Sequence, residues 1–254
     1  MLLHQSVQAW PSRSRRFQQP RDAYDSPVAS SDLAREARRS PAVEDYLETI
    51  YELEESGIPP MRARLVERLG ISAPTVSETV ARLEREGYVT LDEQRVLRLT
   101  GQGLTAATAV MRRHRLAERL LVDVLKVPWH QVHEEAHRLE HAISETLEPY
   151  LVDVLGDPGT CPHGNPIPGS ANRETTTNQV PLTELAKGVP GTVRRIDEEV
   201  EARPDAMRIL EQQLLMPGCA VRLDSQDART VRVTTDAGPT TLDVDVATKI
   251  YVSA

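Results

Sequence analysis

The stretch MRARLVERLGISAPTVSETVARLEREG, Met61–Gly87, decides the fold of the first part of the chain. Its apolar spacing predicts two short helices that are separated by a break at Gly70 and Ser72. Ser72 is a natural N-cap for the second helix, Pro74 suits its first turn, and Gly87 suits its C-cap. The stretch therefore predicts a helix, a turn and a second helix.

The flanking segments extend this unit in both directions. AVEDYLETIYELEESG, residues 42–57, predicts an amphipathic helix that ends at Gly57 and the following Pro-Pro pair. YVTLDEQRVLRLT, residues 88–100, predicts two strands joined by a tight polar turn. Helix, helix, turn, helix and hairpin is the order of a winged helix-turn-helix, whose second helix, here Pro74–Glu86, enters the major groove of DNA. The alternative is a small helical bundle without a DNA-binding role.

Polar side chains at the start of this second helix, and arginines around it, are the candidate DNA contacts. The net charge of −8 argues against nucleic acid, which prefers basic surfaces, but arginines concentrate between residues 62 and 98. An acidic total is therefore compatible with a local phosphate-binding face. The candidates are Ser72, Pro74, Thr75, Ser77 and Glu78 near base edges, and Arg62, Arg85 and Arg95 near phosphates.

A second stretch, VHEEAHRLEHAISETLE, Val132–Glu148, has a helical period and carries its histidines on one face. Positions three and four apart are neighbours on a helix, so His133, His137, Glu140 and His141 share a stripe. Divalent transition metals need imidazole and carboxylate donors that converge in this way. The alternative is a solvated polar face.

A matching pair lies upstream, in RRHRLAERLL, residues 112–121, where His114 and Glu118 are four apart on another amphipathic helix. The two helices resemble two half-sites that face each other. His133 and His141 lie two turns apart, about 12 Å of helix rise, so one ion cannot easily take both. The stripe is therefore expected to serve two metal positions.

Length and composition place limits on the class of protein. The 254 residues suggest one to three domains, and no apolar run approaches the roughly 20 residues of a membrane span, so we expect a soluble protein. The first residues are too polar for a secretory signal. Cys161 and Cys219 make neither a disulfide framework nor a CxxC pair, which fits a reducing cytoplasm.

We expect a mainly α protein with a β domain. Gly and Pro punctuation at CPHGNPIPGS ends the helical part, and apolar and polar residues then alternate between Gly and Asp turns, with one helix near Asp205–Leu215. This pattern predicts a small antiparallel barrel. The expected divisions are a flexible N-terminal arm (1–40), a winged helix-turn-helix domain (41–108), a metal-binding and dimerisation domain (109–170), a linker (171–180) and a barrel domain (181–254).

Five motifs in order within residues 41–169 carry a resemblance to a known family: DYLETIYELEE, RARLVERLGISAPTVSETVARLEREG, AVMRRHRLAERLL, VHEEAHRLEHAIS and GNPIPG. Together they resemble the diphtheria toxin repressor and manganese transport regulator family of metal-dependent transcriptional repressors. The C-terminal part is similar, more loosely, to that family's SH3-like domain. The resemblance implies a homodimer that, when loaded with Mn²⁺ or Fe²⁺, binds a palindromic operator in double-stranded DNA and represses metal-uptake genes.

The resemblance also assigns roles to residues. It implies an activating metal site, an ancillary metal site and an anion position beside the ancillary site. Further ligands from the SH3-like domain have only weakly aligned candidates. The activating site is matched by Asp45, His137, Glu140 and His141, with Glu48 as a further ligand; the ancillary site by His114, Glu118 and His133; the anion position by Arg115 and Asn165; and the weakly aligned candidates are Glu201 and Asp205.

Departures from the family pattern bear on the metal. Iron regulators of the family usually carry Met where Asp45 stands and Cys where His137 stands. Manganese regulators resemble this chain at Asp45 and Glu48 but usually carry a carboxylate in place of His137. Carboxylate and imidazole make a harder site than thioether and thiolate, which favours Mn²⁺, with Fe²⁺ close behind. Zn²⁺ or Co²⁺ could also bind in vitro. An iron-dependent repressor of iron-uptake genes is the alternative, and Glu78, which is Gln in many relatives, leaves the operator open.

Two other classes of protein fit parts of the sequence. HRLEH, residues 137–141, matches the H-x-x-E-H string of inverted zinc hydrolases, in which Glu140 would be the general base. That interpretation leaves the winged helix-turn-helix, His114 and His133 without a role. A metal-storage protein would need many sites per chain and no DNA-binding helix. The sequence therefore favours a regulator over an enzyme.

Overall fold

The computed structural model describes residues 40–172 and 178–253, which belong to one compact unit. The expected flexible arm lies outside the described residues except for Ser40, as does the middle of the expected linker, residues 173–177. Within the described ranges, no helix is both long and apolar enough to cross a membrane.

The first structural layer confirms the predicted order of helices and hairpin. Ser72 caps the third helix by accepting a hydrogen bond from the Thr75 backbone N–H, and Gly70 ends the second helix in the left-handed region, at φ 64°. The hairpin strands pair antiparallel with Val89 opposite Leu99. The elements are α1 (Pro41–Glu55), α2 (Arg62–Leu69), α3 (Ala73–Arg85), β1 (Val89–Leu91) and β2 (Leu97–Leu99).

An apolar core holds these elements together and fixes the outward face of α3. Leu47 and Ile50 of α1 pack with Leu65 of α2 and Val76 and Val80 of α3, all fully buried. Because these side chains turn one face of α3 inward, the polar residues at its N-terminal end face outward. The recognition face expected from the sequence is therefore exposed.

A long helix, α4 (Gly101–Arg119), runs from the winged domain into the middle of the molecule and ends in a π-helical turn at Leu120–Val124. It passes without interruption through the domain boundary expected after residue 108. Gly103 allows a close approach at its start, since a Cβ there would lie 1.9 Å from the Tyr88 carbonyl oxygen. The winged domain and the middle domain are thus joined by one continuous helix.

The prediction of a single helix over Val132–Glu148 is wrong beyond Leu139. The structure has α5 (Val132–Leu139), a 3-10 turn at Glu140–Ala142, and a separate helix α6 (Glu148–Leu155). Ser144 accepts a hydrogen bond from the Leu147 backbone N–H through its hydroxyl, a local bond that competes with helix continuation. The tighter last turn places Glu140 and His141 after α5 rather than on it.

The C-terminal part is an antiparallel sheet of six strands with three short helices. The strand order is β3-β8-β4-β5-β6-β7, so β3 and β7 form the edges and the expected barrel is open in the described residues. The helix expected at Asp205–Leu215 is present but ends earlier. The elements are β3 (Val180–Pro181), β4 (Pro190–Ile196), α7 (Glu198–Glu201), α8 (Pro204–Gln212), β5 (Ala220–Gln226), β6 (Thr230–Thr235), β7 (Gly238–Asp243), α9 (Val244–Ala247) and β8 (Ile250–Ser253).

The sheet domain packs against both the middle domain and the winged domain. Trp129, from the 3-10 turn before α5, is buried in the sheet domain's own core and donates its indole N–H to the Pro162 carbonyl at 3.1 Å. On the winged domain, Ser56 donates to Asp197 at 2.7 Å and Arg68 pairs with Glu199 at 3.2 Å. The last two contacts hold the start of α7 against the winged domain, and Trp129 joins the sheet domain to the middle domain, where the candidate site lies.

Candidate metal centre

Side chains from the winged domain and the middle domain meet between α1, α4 and α5, and the sheet domain adds Glu201 nearby. Their histidines and acids form overlapping groups whose donor atoms lie within 4.8 Å of one another. Carboxylate oxygen and imidazole nitrogen are the donors that divalent metals take in proteins. The groups draw on α1 for Asp45 and Glu48, on α4 for His114 and Glu118, on α5 for His133 and His137, and on the following 3-10 turn for Glu140 and His141.

The first group joins α1 to the end of α5 and contains Asp45, His137, Glu140 and His141. His141 Nε2 lies 3.1 Å from Asp45 Oδ1 and 3.3 Å from Glu140 Oε1. His137 Nδ1 lies 3.2 Å from that same Glu140 oxygen. One carboxylate oxygen and two imidazoles therefore converge on a point that Asp45 closes from the winged domain.

Glu48 extends this group inward, toward α4. Its carboxylate lies 3.6 Å from His137 Nδ1 and 3.5 Å from His114 Nδ1. His114 Nδ1 also lies 2.5 Å from Glu140 Oε2. Glu48, His114, His137 and Glu140 thus form a second overlapping group, and His114 lies between the two sites that the resemblance kept apart.

The third group is that of His114, Glu118 and His133. His114 Nε2 lies 3.2 Å from His133 Nδ1 and 3.4 Å from Glu118 Oε1. Glu201 of the sheet domain reaches the same place, with Oε2 3.4 Å from His133 Nδ1. Asp205, the other candidate from that domain, is instead exposed and pairs with Arg208.

A fourth group was missed by reasoning from the sequence. Glu118, Cys161 and His163 come together, and His163 Nδ1 lies 3.1 Å from Glu118 Oε1 and 2.8 Å from Glu201 Oε2. From the sequence, Cys161 was considered only as half of a disulfide or of a CxxC pair. The signal that was present is the Cys-Pro-His spacing in the loop after α6, which places a thiol and an imidazole two residues apart.

Glu44 was also missed, although it orients a ligand candidate. Its Oε2 lies 2.8 Å from His141 Nδ1, and its Oε1 accepts from Arg113 Nη2 at 2.8 Å. Carboxylates that hold the second ring nitrogen of a ligating histidine fix its tautomer and orientation. Glu44 faces inward from α1 beside Asp45, so its partner depends on the packing of α1 against α4.

The residues expected to hold an anion have partners within the chain. Arg115 is fully buried and donates to Glu198 and Glu55. Asn165 donates through Nδ2 to the Ile196 carbonyl at 2.8 Å and to Glu201 Oε1 at 2.6 Å. The chain's own carboxylates therefore lie at the position that the resemblance assigned to an anion.

Buried oxygens without hydrogen-bond partners show that the arrangement suits cations. Such orphaned groups are rare in proteins because burying them unpaired costs free energy. In the described residues they concentrate in these groups, and a cavity of about 530 Å³ lined by Glu48, His133, His137 and Glu201 lies against them. The orphaned oxygens around these groups are Asp45 Oδ1, Glu48 Oε1, both of Glu118, Glu140 Oε1 and Glu201 Oε2; the others in the described residues belong to Tyr46, Gln179 and Glu198.

Mutual charge interactions move the pKa values of the group. Burial works to raise the pKa of Glu140, but the charge and hydrogen bonds of His114 and His137 bring it to about 2. Hydrogen bonds to Glu140 and Glu48 raise the pKa of His137 to about 10. Burial, together with the negative charge of Glu140, raises the pKa of Glu48 to about 7. The His137 imidazole therefore carries a proton that a bound cation would replace.

The candidate DNA contacts lie on one exposed part of the winged domain. Ser72, Pro74, Thr75, Ser77 and Glu78 are exposed at the start of α3, and Arg85 is exposed at its end. Arg95 is exposed at the tip of the hairpin, where it adopts a left-handed backbone at φ 63°. Arg62, at the start of α2, is half-buried. The arrangement presents polar side chains on a helix flanked by arginines.

Two family models match the chain in order. "Iron dependent repressor, N-terminal DNA binding domain" matches residues 39–97, and "Iron dependent repressor, metal binding and dimerisation domain" matches residues 100–169. The elements from α1 to β1 and the helices that carry the histidine groups lie within these matches. The two ranges meet at the start of α4.

Curated relatives and a solved structure show the same likeness. The diphtheria toxin repressor of Corynebacterium jeikeium is 49% identical over 170 residues, which span 67% of this chain and 65% of that protein, just under two thirds. The iron-dependent repressor IdeR of Mycobacterium tuberculosis is 47% identical over 191 residues, 72% of this chain and 83% of that protein. A manganese-dependent transcriptional repressor in complex with manganese superposes with a TM-score of 0.75 at 34% identity, covering 84% of this chain and 99% of that one.

Proposed function

Because the chain belongs to the iron-dependent repressor family of metal-dependent transcriptional repressors, we propose that it is a manganese-responsive repressor that acts as a homodimer on palindromic operator DNA. Fe²⁺ is the second candidate for its activating metal. Its target genes would then be those for uptake of the same metal, and its place of work the cytoplasm.

The observation that carries the proposal is the first group, which spans two domains. Asp45 comes from α1 of the winged domain, whereas His137, Glu140 and His141 come from the end of α5 and the turn after it. Glu48, of the second group, also lies on α1. A divalent cation held there would replace the proton on the His137 imidazole and balance the charge of these carboxylates. The same residues would then tie α1 to the middle domain.

The tie affects DNA binding because α1 supports α3. Leu47 and Ile50 of α1 are fully buried in the core that also holds Val76 and Val80 of α3. Residues that close on α1 therefore set the position of the recognition helix. Ligands that bind only the closed arrangement shift the population toward it, and in a dimer this fixes the distance between two recognition helices.

Ligand type supports Mn²⁺. Asp45, Glu48 and Glu140 offer hard carboxylate oxygens to the first two groups, and their only nitrogen donors are imidazoles. Oxygen-rich sites suit Mn²⁺, whereas imidazole also suits Fe²⁺ and Zn²⁺. The structure with the high TM-score is named for manganese and the relative IdeR for iron, so the proposal of Mn²⁺ rests on these side chains rather than on overall likeness.

We assign the groups around Glu118 to a supporting role. His133, Glu201 and His163 surround its carboxylate, and Glu201 comes from the sheet domain. Metal held there would join the sheet domain to the middle domain rather than to α1. The expected effect is on the strength of activation, not on its presence.

The second copy of the chain would dock on α6. Leu147, Tyr150 and Val154 are exposed, at 45%, 63% and 66%, and their spacing puts them on one stripe at the start and along the exposed face of that helix. Leu116 and Leu121, from the end of α4 and the π-helical turn after it, are buried within the chain and therefore do not offer such a surface. The matched family domain is one of metal binding and dimerisation.

The hydrolase interpretation of HRLEH loses its general base in this geometry. Glu140 is fully buried, and its Oε2 lies 2.5 Å from His114 Nδ1. A carboxylate held by a third histidine is placed as a ligand and not as a base facing a substrate. Peptide hydrolysis by the Mn²⁺- or Zn²⁺-loaded chain would contradict this assignment.

The proposal is tested by DNA retardation with buffered free metal. Duplexes that bind the Mn²⁺-loaded chain are first selected from a random library, and retardation is then titrated with Mn²⁺, Fe²⁺ and Zn²⁺. We expect the selected duplexes to share a palindromic consensus. We also expect retardation to occur at a lower free concentration of Mn²⁺ than of Fe²⁺. Failure to select any sequence, or retardation independent of metal, would overturn the proposal.

Variants make the test specific to the site. His141→Ala should abolish metal-activated retardation and leave a folded protein, whereas His114→Ala should weaken it. His130→Ala is the matched control, since His130 pairs with Glu211 outside the four groups and should leave retardation unchanged. Equal behaviour of His141→Ala and His130→Ala would remove the first group from the mechanism.

A further inference from the structure

Arg115 holds together one carboxylate from each neighbouring domain. Its Nε and Nη2 donate to Glu198 Oε1 at 2.9 and 2.7 Å, and its Nη2 and Nη1 donate to Glu55 at 2.5 and 3.3 Å. Nη1 also donates to the Pro166 carbonyl at 2.6 Å. Glu55 ends α1 of the winged domain, Glu198 starts α7 of the sheet domain, and Arg115 lies within α4.

The guanidinium is saturated and sealed. Arg115 is 0% exposed, and each of its three nitrogens already donates within the chain. Buried ion pairs are held only when the geometry supplies every hydrogen bond, and removing one partner leaves an uncompensated charge. Charge-assisted, forked bonds of this kind also fix orientation, which a lysine cannot do.

Glu198 lies on the same short helix as a metal-ligand candidate. Glu201 follows it by three residues in α7, and its Oε2 lies 2.8 Å from His163 Nδ1 and 3.4 Å from His133 Nδ1. Arg115 in turn follows His114 in α4. The ion pair of Arg115 and Glu198 therefore sets the position of α7 relative to the histidines that Glu201 faces.

The other contacts of Glu201 point the same way. Asn165 Nδ2 donates to Glu201 Oε1, and Arg195 Nη1 donates to Asn165 Oδ1 at 3.2 Å. The guanidinium of Arg195 lies 3.7 Å from the Tyr251 ring centroid, on β8. Glu201 is thus positioned from one side by the sheet domain and from the other by the Glu198 contact.

We propose that Arg115 and Glu198 are positioning residues for the metal groups around Glu118. The Glu198 carboxylate acts as a built-in anion that docks α7 at Arg115 and so brings Glu201 to the histidines. This extends the proposed function by naming the residues that couple the sheet domain to metal binding. A free carboxylate or other small anion is not needed, because Glu198 and Glu55 occupy the donors.

The test is chemical rescue of metal binding in the full chain. Glu198→Ala removes the carboxylate and leaves space beside Arg115, and formate supplies a carboxylate of small size. We expect Glu198→Ala to weaken one class of Mn²⁺ sites in calorimetric titration by about 10- to 100-fold, as for other residues that position metal ligands. Added formate should restore the affinity of this variant and leave that of the unaltered chain unchanged.

Asp236→Ala is the matched control, because it removes one exposed acid from the same domain. It should bind Mn²⁺ like the unaltered chain, with or without formate. An unchanged isotherm for Glu198→Ala, or a formate effect shared by the control, would overturn the proposal. Should Glu198→Ala not fold, Glu198→Gln carries the test: its amide lacks the charge, and unchanged Mn²⁺ affinity in that variant is the contradicting result.

The titration contains no DNA, so its outcome is independent of whether the chain binds an operator. Mn²⁺ binding with formate rescue but without DNA retardation would support the role of Glu198 and reject the proposed function. DNA retardation with unaltered Mn²⁺ binding in Glu198→Ala would do the reverse.

Discussion

At the scale of single residues, Asp45 carries the expected preference for manganese. Its carboxylate is the contribution of the winged domain to the first group, 3.1 Å from His141 Nε2. Burial raises the pKa of Asp45, and the charges of His137 and His141 oppose this shift. A cation bound in this group must therefore keep the carboxylate ionised. The choice of oxygen or sulfur at this one position is thus a choice of metal hardness.

We therefore predict that Asp45→Met lowers the Mn²⁺ response more than the Fe²⁺ response. The thioether is a softer donor and brings no charge, so Mn²⁺ loses more by the exchange. DNA retardation against buffered free metal measures the two midpoints. Glu54→Met, at an exposed position of the same helix, is the control. An unchanged ratio of the two midpoints in Asp45→Met would leave iron and manganese as equal candidates.

We also predict that metal binding at pH 7 releases protons. The pKa of His137 is raised to about 10 by its bonds to Glu140 and Glu48; burial lowers that of His133, but bonds to Glu118 and Glu201 outweigh it and bring it to about 9. Both rings are therefore protonated in the metal-free chain. Burial works to lower the pKa of His114 between them, but Glu140 and Glu118 raise it, so occupying the sites releases at least about two protons. Calorimetry in buffers of different ionisation enthalpy counts them. Binding heats that do not depend on the buffer would contradict the prediction.

The same shifts predict how the metal-free chain responds to pH. A histidine whose pKa is raised by folding stabilises the folded state fully below its unfolded pKa of about 6.5. This contribution is lost as the pH rises through 9 and 10, the folded values of His133 and His137. The metal-free chain should thus unfold at lower temperature at pH 10 than at pH 7. An equal or higher Tm at pH 10 would show that these pairs do not stabilise it.

Pairs on one helix could be predicted from the sequence, and those between segments could not. His114 with Glu118 follows from four-residue spacing alone. The same spacing pointed to His137 with His141, although His141 lies in the 3-10 turn after α5 and not on the helix. Cys161 and His163 lie in a loop, and only the path of that loop past α4 brings them to Glu118. Likewise Glu201 joins the histidines and Asp205 does not, because the short α7 ends between them.

At the scale of elements, we expect the two ends of α3 to make two different kinds of DNA contact. Glu78 is exposed near its start and Arg85 near its end. A carboxylate accepts a hydrogen bond from cytosine, whereas an amide pairs with adenine. Glu78→Gln should therefore change the preferred base at one position of the operator, with a difference in binding free energy of about 1–3 kcal/mol. Selection from a random library measures the change. The same consensus for both proteins would show that Glu78 does not read bases.

Arg85→Ala should act differently, since an arginine at the helix end faces the phosphate backbone. We predict weaker binding to all sequences and a salt dependence whose slope falls by about 1. Retardation at several salt concentrations measures this slope. Arg208→Ala, an exposed arginine of the sheet domain, should leave it unchanged. A loss confined to one operator sequence would instead assign Arg85 to base recognition.

Most helix and strand positions followed from capping and period, but two elements did not. The period of Val132–Glu148 is helical throughout, yet the local bond of Ser144 and the tight turn at Glu140–Ala142 end the helix early. The sheet was expected to close into a barrel. Alternation of apolar and polar residues shows which side chains share a face of the sheet, but it does not show whether the two edge strands pair. In both cases the deciding contacts lie outside the pattern.

At the scale of the whole molecule, the exposed stripe of α6 predicts the assembly. Val154→Glu places a charge on the most exposed of its apolar side chains, at 66%. Because a charge buried in an apolar interface is costly, we expect this variant to be monomeric at concentrations where the unaltered chain is a dimer. Light scattering of the eluting peak measures the mass. Asp153→Ala, beside the stripe, is the control, and a dimeric Val154→Glu would place the interface elsewhere.

Trp129 gives the molecule an optical reporter of its own architecture. Its indole is 8% exposed, packed in the sheet domain's core and 4.7 Å from the His163 ring, although the residue itself belongs to the middle domain. If the sheet domain separates from the middle domain, the indole ring moves from an apolar environment into water and away from the His163 imidazole. Its fluorescence should then shift to longer wavelength and change in intensity. The chain has one other tryptophan, Trp10, so Trp10→Phe would leave a single emitter that records undocking in real time, without a label.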